Sequence, residues 1–176
     1  MDEQAPTLPA EPRPSRPVMP SGYGIPDNDE GMLPWSWART RLEGAINYWL
    51  GTTRPDGRPH AVPIWGVWLD DQFYFEGGPD TRRGRNLAAN PAIVVHVAEG
   101  DEIVIVEGTA MEIPPPDAAL SARLVAAFAA KYLPKYSYQP DPAGWEKGGL
   151  YAVRPHLAMA WSTFPSTTTR WHFMVE

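Results

Sequence analysis

Short runs rich in apolar, β-branched and aromatic residues, separated by turn residues, occupy the middle of the chain and indicate β-strands. Residues 48–53 and 60–69 form two such runs, separated by a turn that contains proline and glycine, and residues 72–76 form a third. Within the second run, one face receives His60, Val62, Ile64, Gly66 and Trp68, and the other receives Ala61, Pro63, Trp65, Val67 and Leu69. The pattern predicts a meander of antiparallel strands.

Helical signals interrupt this pattern. A short helix is predicted within residues 35–50, and another begins after Thr81, a residue type that caps helix N-termini, and ends before Pro91. In residues 117–132 the apolar side chains fall on one helical face, namely Leu120, Leu124, Val125, Phe128 and Tyr132. We expect the last helix to be amphipathic and to pack on the sheet.

Further strands are predicted at residues 92–98, 102–113, 150–153, 156–163 and 169–175. Strands that follow one another in hairpins, with few helices between them, form a barrel or closed sheet rather than alternating βαβ units. The predicted fold class is α+β, mainly β.

The first 34 residues differ from the rest, because they contain many prolines and few large apolar residues. Such a segment lacks backbone donors and buries little surface. We expect residues 1–34 to be a proline-rich arm, disordered or draped over the surface, and residues 35–176 to be one domain.

Composition narrows the class of protein. The chain has 176 residues, no cysteine and a formal net charge of -6, which argues against a nucleic-acid-binding surface and excludes disulfides. The start Met-Asp-Glu-Gln has no export signal, and no apolar run approaches the length of a membrane span. A cytoplasmic protein without a membrane segment is therefore expected.

The densest basic group follows the N-cap Thr81 and consists of Arg82, Arg83 and Arg85. Free backbone N–H groups and the helix dipole favour an anion at a helix N-terminus, and arginines strengthen that preference. A solvated basic face that pairs with surface acids explains the same residues equally well. Residue chemistry alone leaves both interpretations open.

Two sequence blocks resemble a known family. Residues 51–65 have the sequence Gly-Thr-Thr-Arg-Pro-Asp-Gly-Arg-Pro-His-Ala-Val-Pro-Ile-Trp, and residues 81–91 follow the pattern Thr-Arg-Arg-x-Arg-Asn-Leu-x-x-Asn-Pro. Together with the closing block of residues 160–173, they resemble the pyridoxamine 5′-phosphate oxidase-like superfamily, and most of all its flavin/deazaflavin oxidoreductases. The resemblance implies a split β-barrel with a short anion-binding helix, and a homodimer with the cofactor at its interface.

The resemblance also implies the cofactor contacts. The family's Ser-Arg-Lys phosphate motif corresponds to Thr81, Arg82 and Arg83, and the strand that flanks the ring system corresponds to residues 60–65. The implied cofactor-binding residues are His60, Ala61, Val62, Pro63, Thr81, Arg82, Arg83, Asn86, Trp161 and Arg170. No side chain is assigned as catalytic, because the cofactor supplies the hydride chemistry.

The sequence departs from the true oxidases at both ends of the ring-flanking strand. His60 and Trp65 stand where those enzymes have an arginine and a lysine that hold the FMN phosphate. We therefore expect coenzyme F-420, an 8-hydroxy-5-deazaflavin whose acidic tail suits extra arginines, with FMN as the alternative cofactor. The expected activity is hydride transfer to or from a small organic substrate.

A non-catalytic carrier of flavin, deazaflavin or haem is the competing hypothesis. The four histidines, His60, His96, His156 and His172, show no metal-ligand spacing, so no metal site is predicted. A carrier would keep the arginines but would lack a substrate cavity beside the ring.

Overall fold

The computed structural model describes residues 11–174. Its strands are β1 Pro14–Ser15, β2 Tyr48–Thr53, β3 Pro59–Ile64, β4 Val67–Leu69, β5 Gln72–Glu76, β6 Ala92–Glu99, β7 Glu102–Glu112, β8 Leu150–Trp161 and β9 Thr169–His172. Its α-helices are α1 Trp35–Gly44, α2 Arg82–Ala89, α3 Ala118–Tyr136 and α4 Pro142–Trp145, and a 3-10 helix covers Ser21–Tyr23.

All described strands belong to one antiparallel sheet that curls into a barrel. β3, β2, β6, β7 and β8 are neighbours in that order, and β5 pairs with the first half of β8. β4 pairs with β5, and β3 runs into β4 through Trp65 and Gly66, so the ring is complete. The second half of β8 pairs instead with β9. The predicted α+β, mainly β class and the split barrel are confirmed.

The strand predicted over residues 60–69 is interrupted, and Gly66 explains why. A side chain at this position would place its Cβ 2.6 Å from the carbonyl oxygen of Tyr74. The Gly66 N–H donates to the Tyr132 hydroxyl at 2.9 Å, and the Gly66 carbonyl lies 2.9 Å from the same hydroxyl. Helix α3 thus supplies the hydrogen bonds that a neighbouring strand would otherwise provide.

The opposite difference occurs in β8, where two predicted strands are one. Pro155 lies inside β8 and lacks the N–H that a sheet ladder needs. The pairing register of β7 with β8 shifts between Glu107 and Gly108, opposite this proline. The irregularity absorbs the missing donor, and the strand continues to Trp161.

The barrel interior forms the main core, and two helices close its ends. Trp35 and Leu42 of α1 are buried with the inward residues of the strands, and Leu87 of α2 joins the same cluster. Helix α2 begins as predicted, because the Thr81 hydroxyl accepts from the Gly84 N–H at 3.0 Å. Its position fixes the arginines at the barrel rim.

Helix α3 covers one outer face of the barrel. Leu124, Phe128 and Tyr132 are buried against outward residues of β4, β5 and the first half of β8, namely Val67, Tyr74, Leu150 and Ala152. This second apolar cluster, together with the part of the sheet beneath it, is here called the covered face. The amphipathic helix predicted over residues 117–132 is confirmed, and extends to Tyr136.

The outer face of the remaining strands has no such helix in the described part of the chain. Strand pairing aligns outward residues across it in one row: Pro63, Trp49, His96, Ile105, Met159 and Arg170. Trp49, Ile105 and Met159 belong to neither apolar cluster, and Trp49 is 45% exposed. We call this surface, formed by β3, β2, β6, β7, the second half of β8 and β9, the open face.

The described part of the proline-rich arm, residues 11–34, lies along β9. The guanidinium of Arg16 donates hydrogen bonds to the carbonyls of Asn28, Glu30, Ser166 and Thr168. The Leu33 N–H donates to Thr169 Oγ1 at 2.8 Å. The prolines remove backbone hydrogen-bond donors, as expected. The Arg16 side chain supplies hydrogen-bond donors in their place. Residues 1–10 lie outside the described range, and the domain boundary at residue 34 stays a prediction.

Candidate functional site

Three arginines and a histidine meet where the β2–β3 hairpin faces the start of α2. Arg54 lies in the hairpin turn, His60 near the start of β3, and Arg82 and Arg83 in the first turn of α2. The pKa of His60 is lowered by burial and then by the positive charges of Arg54, Arg82 and Arg83. None of these arginines forms a salt bridge with another described residue. We call this group, Arg54, His60, Arg82 and Arg83, the cationic cluster.

Arg82 is the most available member of the cationic cluster. Its side chain is exposed and makes no hydrogen bond with the described residues, whereas Arg85 donates to the carbonyl of Asp80. The Thr81 hydroxyl is already engaged, since it also donates to the Gly78 carbonyl at 2.8 Å. The first N–H groups of a helix have no intrahelical acceptor. An anion here would therefore meet the Arg82 guanidinium and free backbone donors.

Arg83 is half-buried and links α2 to the end of β5. Its Nη2 donates to the Glu76 carbonyl at 3.1 Å, and its guanidinium lies over the Phe75 ring, 5.3 Å from the centroid. A side chain at Gly77 would collide with this guanidinium. Burial lowers the pKa of Arg83. Four of its five N–H donors remain for other partners, because one is used in this bond.

Asn86 connects α2 to the hairpin from inside the protein. It has no exposed surface, and its Nδ2 donates to Thr52 Oγ1 at 3.0 Å. Thr52 Oγ1 lies 3.4 Å from His60 Nδ1. The predicted cofactor residue Asn86 thus lies behind the cationic cluster, where it orients Thr52 and, through it, His60.

The predicted ring-flanking strand presents alternate residues to opposite sides. Ala61 and Pro63 point outward on the open face and are exposed, whereas Val62 packs against the barrel core. His60 shares the inward side with Val62 but sits at the rim. A ligand on the outside of β3 would meet small side chains and the strand backbone.

Trp161 and Arg170 lie far from the cationic cluster in the same chain. Arg170 is in the aligned row with Pro63, but five strand-to-strand steps away, or roughly 24 Å at about 4.8 Å per step. Trp161 pairs with Ile103 at the far end of β7. The structure therefore places these two predicted residues on the open face without bringing them to Arg82.

Arg54 was missed by the sequence reasoning. Its Nε is buried and has no hydrogen-bond partner among residues 11–174. A basic residue beside the turn of a hairpin was the available signal, but its approach to α2 depends on how the hairpin folds over the barrel end. An unpartnered guanidinium N–H in this position is a candidate donor to a bound anion.

Neither a metal-binding group nor a membrane-spanning helix is found among the described residues. In the described part of the chain, no group of His, Asp or Glu is arranged to hold a metal ion. None of the helices of residues 11–174 combines the length and apolar character needed to span a membrane.

Known proteins share the sequence pattern and the fold of this chain. The family profile described as pyridoxamine 5′-phosphate oxidase matches residues 38–153. No curated protein matches the sequence significantly. Among solved structures, an F-420 reductase superposes with a TM-score of 0.52 and 25% identity, over 68% of this chain and 94% of that one.

Two other solved structures share the fold at lower identity. A haem-binding protein from Mycobacterium smegmatis has a TM-score of 0.59 and 19% identity, over 77% of this chain and 56% of that one. A FAD-binding protein from Mesorhizobium loti has a TM-score of 0.55 and 18% identity, over 81% of this chain and 96% of that one.

Proposed function

The chain belongs to the pyridoxamine 5′-phosphate oxidase family, and from this we propose that it is a deazaflavin-dependent oxidoreductase that binds coenzyme F-420. Its activity would be hydride transfer to or from a small organic substrate, with the cytoplasm as its location. The similarity to the F-420 reductase and to the FAD-binding protein supports a flavin-type cofactor.

The cationic cluster supports this proposal more than any other feature. Its three guanidinium groups have no carboxylate partner among the described residues, although the chain as a whole is acidic. The buried Arg54 Nε also lacks an acceptor. Leaving such donors unsatisfied is costly, so the cluster is arranged for an anion. A cofactor phosphate has the charge and the acceptor oxygens that fit.

The neighbouring strand suits the ring system of the same cofactor. Ala61 and Pro63 lie on the outside of β3 and leave room for a planar group against the backbone. In this arrangement Arg54, Arg82 and the first N–H groups of α2 hold the phosphate, and Asn86 and Thr52 orient His60 beside it. When bound, the deazaflavin supplies the hydride chemistry.

The position of Trp65 supports deazaflavin over FMN. The family's second phosphate clamp would need a lysine here, but Trp65 packs on Tyr132 with ring centroids 4.8 Å apart. Strand β3 itself contains no lysine or arginine. FMN stays the alternative cofactor, because the cationic cluster would also accept its phosphate.

We propose further that the functional unit is a homodimer formed through the open face. A two-fold interface brings a residue of one chain to a different residue of its partner. Trp161 and Arg170 lie on the same face as Ala61 and Pro63, though too far to reach one ring within a chain. In a dimer the partner's Trp161 and the partner's Arg170 would complete the site.

A titration of the purified protein with F-420 and with FMN tests the proposal. We expect F-420 to bind more tightly, and Arg82→Ala to weaken its binding by about 10- to 100-fold, since a charge-assisted hydrogen bond contributes roughly 1.5 to 3 kcal/mol. Arg123→Ala is the matched control, because it removes an exposed arginine that pairs with Asp70. Equal affinity of the wild type and Arg82→Ala would place the anion site elsewhere.

A non-catalytic carrier of flavin, deazaflavin or haem is the second candidate. The fold shared with a haem-binding protein is the observation that keeps it in consideration. The same titration includes haemin, and a carrier for haem would show a Soret band that survives Arg82→Ala but not replacement of an iron-ligating histidine.

A further inference from the structure

A small cavity lies where β3 ends, beside the last residue of β5 and under α3. It has a volume of about 280 Å³ and is lined by Ile64, Trp65, Glu76, Phe128 and Tyr138. The cavity is separate from the surface around Arg82. Glu76 links the two regions, because its side chain lines the cavity and its backbone carbonyl accepts a hydrogen bond from Arg83. The volume is too small for a flavin and suits a small molecule.

Three aromatic rings form the walls of this cavity. Trp65 is fixed from behind by Tyr132, whose ring stacks on it at 18°. The Tyr138 ring lies 5.5 Å from the Trp65 ring and 6.4 Å from the Phe128 ring, tilted by 57° and 72° respectively. The Tyr136 ring also lies 4.7 Å from the Trp65 ring, and the rings of Trp65, Phe128 and Tyr138 all line the cavity.

Glu76 places a carboxylate against the same space. One of its oxygens accepts from the Tyr138 hydroxyl, and the other accepts from Trp145 Nε1 at 2.6 Å. Both donors are neutral, because burial and the bond to Glu76 raise the pKa of Tyr138 and keep its phenol protonated. Glu76 forms no salt bridge with any described residue. Its negative charge is held in position without a neutralising partner.

From this arrangement we propose that the cavity binds a small organic cation of the alkylated ammonium class. Aromatic faces attract a cation that lies within about 6 Å of their centroids, and the attraction is strongest for tryptophan. A carboxylate adds a full opposite charge at the rim. An inorganic cation would seek several oxygen ligands instead, and Glu76 is the acidic residue of the lining.

A structural role for Glu76 alone makes a different prediction. If Glu76 only anchors Trp145 and Tyr138, the cavity should take neutral apolar molecules as well as charged ones. The charge preference of the cavity therefore distinguishes a cation site from a packing defect. This proposal does not depend on the cofactor, so it is tested with cofactor-free protein.

The experiment compares choline with its neutral isostere 3,3-dimethylbutan-1-ol by isothermal titration calorimetry on the full chain. We expect choline to bind at least about tenfold more tightly, as a desolvated cation–aromatic contact and an unpaired carboxylate together predict. Equal affinities, or no choline binding at about 10 mM, would overturn the proposal.

Two variants assign any binding to this cavity. Glu76→Gln should reduce the preference for choline, whereas Glu99→Gln, which removes the same charge from the exposed end of β6, should keep it. Trp65→Leu should weaken choline binding by at least about fivefold. If Glu76→Gln does not fold, the wild-type comparison and Trp65→Leu still decide the question. A choline affinity that is unchanged in Trp65→Leu would place the cation elsewhere and refute the assignment.

Discussion

The two outer faces of the barrel are made from similar strands but differ in what lies on them. On the covered face, Leu124, Phe128 and Tyr132 of α3 bury the outward residues of β4, β5 and β8. On the open face, Trp49 and Ile105 belong to neither apolar cluster of residues 11–174. Within the described residues, α3 therefore covers β4, β5 and the first half of β8 but not the remaining strands.

The difference also separates the two sites proposed above. A cavity lined by aromatic rings and a carboxylate borders the covered face, whereas the open face presents β3 and the distant Arg170 on one continuous surface. A face completed within the chain can hold a small ligand by itself. In the proposed dimer, the open face would share a large cofactor between two chains.

The largest expected effect comes from weakening the covered face. Leu124 is fully buried between α3 and the sheet, so Leu124→Ala should lower the free energy of unfolding by about 2 to 5 kcal/mol through lost contacts and a cavity. Urea denaturation at several protein concentrations measures this. Leu133→Ala is the control, because Leu133 is 47% exposed on the same helix and should change stability by less than about 0.5 kcal/mol.

A charge in the centre of the open face tests the proposed dimer. Ile105 pairs with His96 on one side and Met159 on the other, so Ile105→Lys would bury an unpaired charge at the interface. We expect the dimer dissociation constant to rise by about 100-fold, or about 2.7 kcal/mol, with little change in circular dichroism. Light scattering at micromolar concentration measures it.

The control for that experiment lies on the exposed side of α3. Ala126→Lys adds the same charge at an exposed position of α3 and should leave the dimer intact. A monomeric wild type, or a dimeric Ile105→Lys protein, would show that the open face is not the interface.

The smallest effect concerns a lysine under the covered face. Lys131 Nζ donates to the Tyr48 hydroxyl at 2.6 Å, and burial lowers its pKa to about 8. Between about pH 8 and the unfolded pKa of 10.5, the unfolded chain binds more protons, so the free energy of unfolding rises with pH. Below about pH 8, Lys131 is protonated in both the folded and the unfolded state, so it adds no pH dependence to the free energy of unfolding.

Lys131→Met removes that dependence. The stability of the wild type relative to Lys131→Met should increase by about 1.5 kcal/mol from about pH 8 to about pH 9.5, as measured by urea denaturation. Burial raises the pKa of Tyr48, the partner of Lys131, well above its usual value, so its phenol keeps its proton in the folded protein over this range. Tyrosines that titrate in the unfolded chain contribute equally to both proteins. A constant difference across this range would mean that Lys131 keeps an ordinary pKa.

Local signals in the sequence were sufficient for much of the fold. The N-cap Thr81 and the apolar stripe of α3 depend on neighbours within a few turns, and both predictions are confirmed. The prediction of one unbroken strand over residues 60–69 was wrong. The break at Gly66 depends on Tyr132, a residue distant in sequence whose hydroxyl takes the hydrogen-bonding place of a neighbouring strand. The continuous β8 likewise depends on a register shift in β7.

The same division holds for the candidate site. Arg82 and Arg83 follow from a local motif, and the structure places both at the helix start. The approach of Arg54 and the burial of Asn86 depend on how the hairpin folds onto α2, which no local pattern specifies. The assignments of Trp161 and Arg170 stay predictions, since a second chain would be needed to bring them to the cofactor.

The short strand β1 has a consequence for solubility. Without it, β9 would be a free sheet edge, and such edges recruit strands from other molecules into aggregates. Pro14 and Ser15 pair with Trp171 and Arg170 and occupy that edge, and Pro14 has no N–H to offer a further strand. Deleting residues 1–16 would remove this protecting strand together with the Arg16 anchor, and we expect turbidity to develop faster than in the full chain.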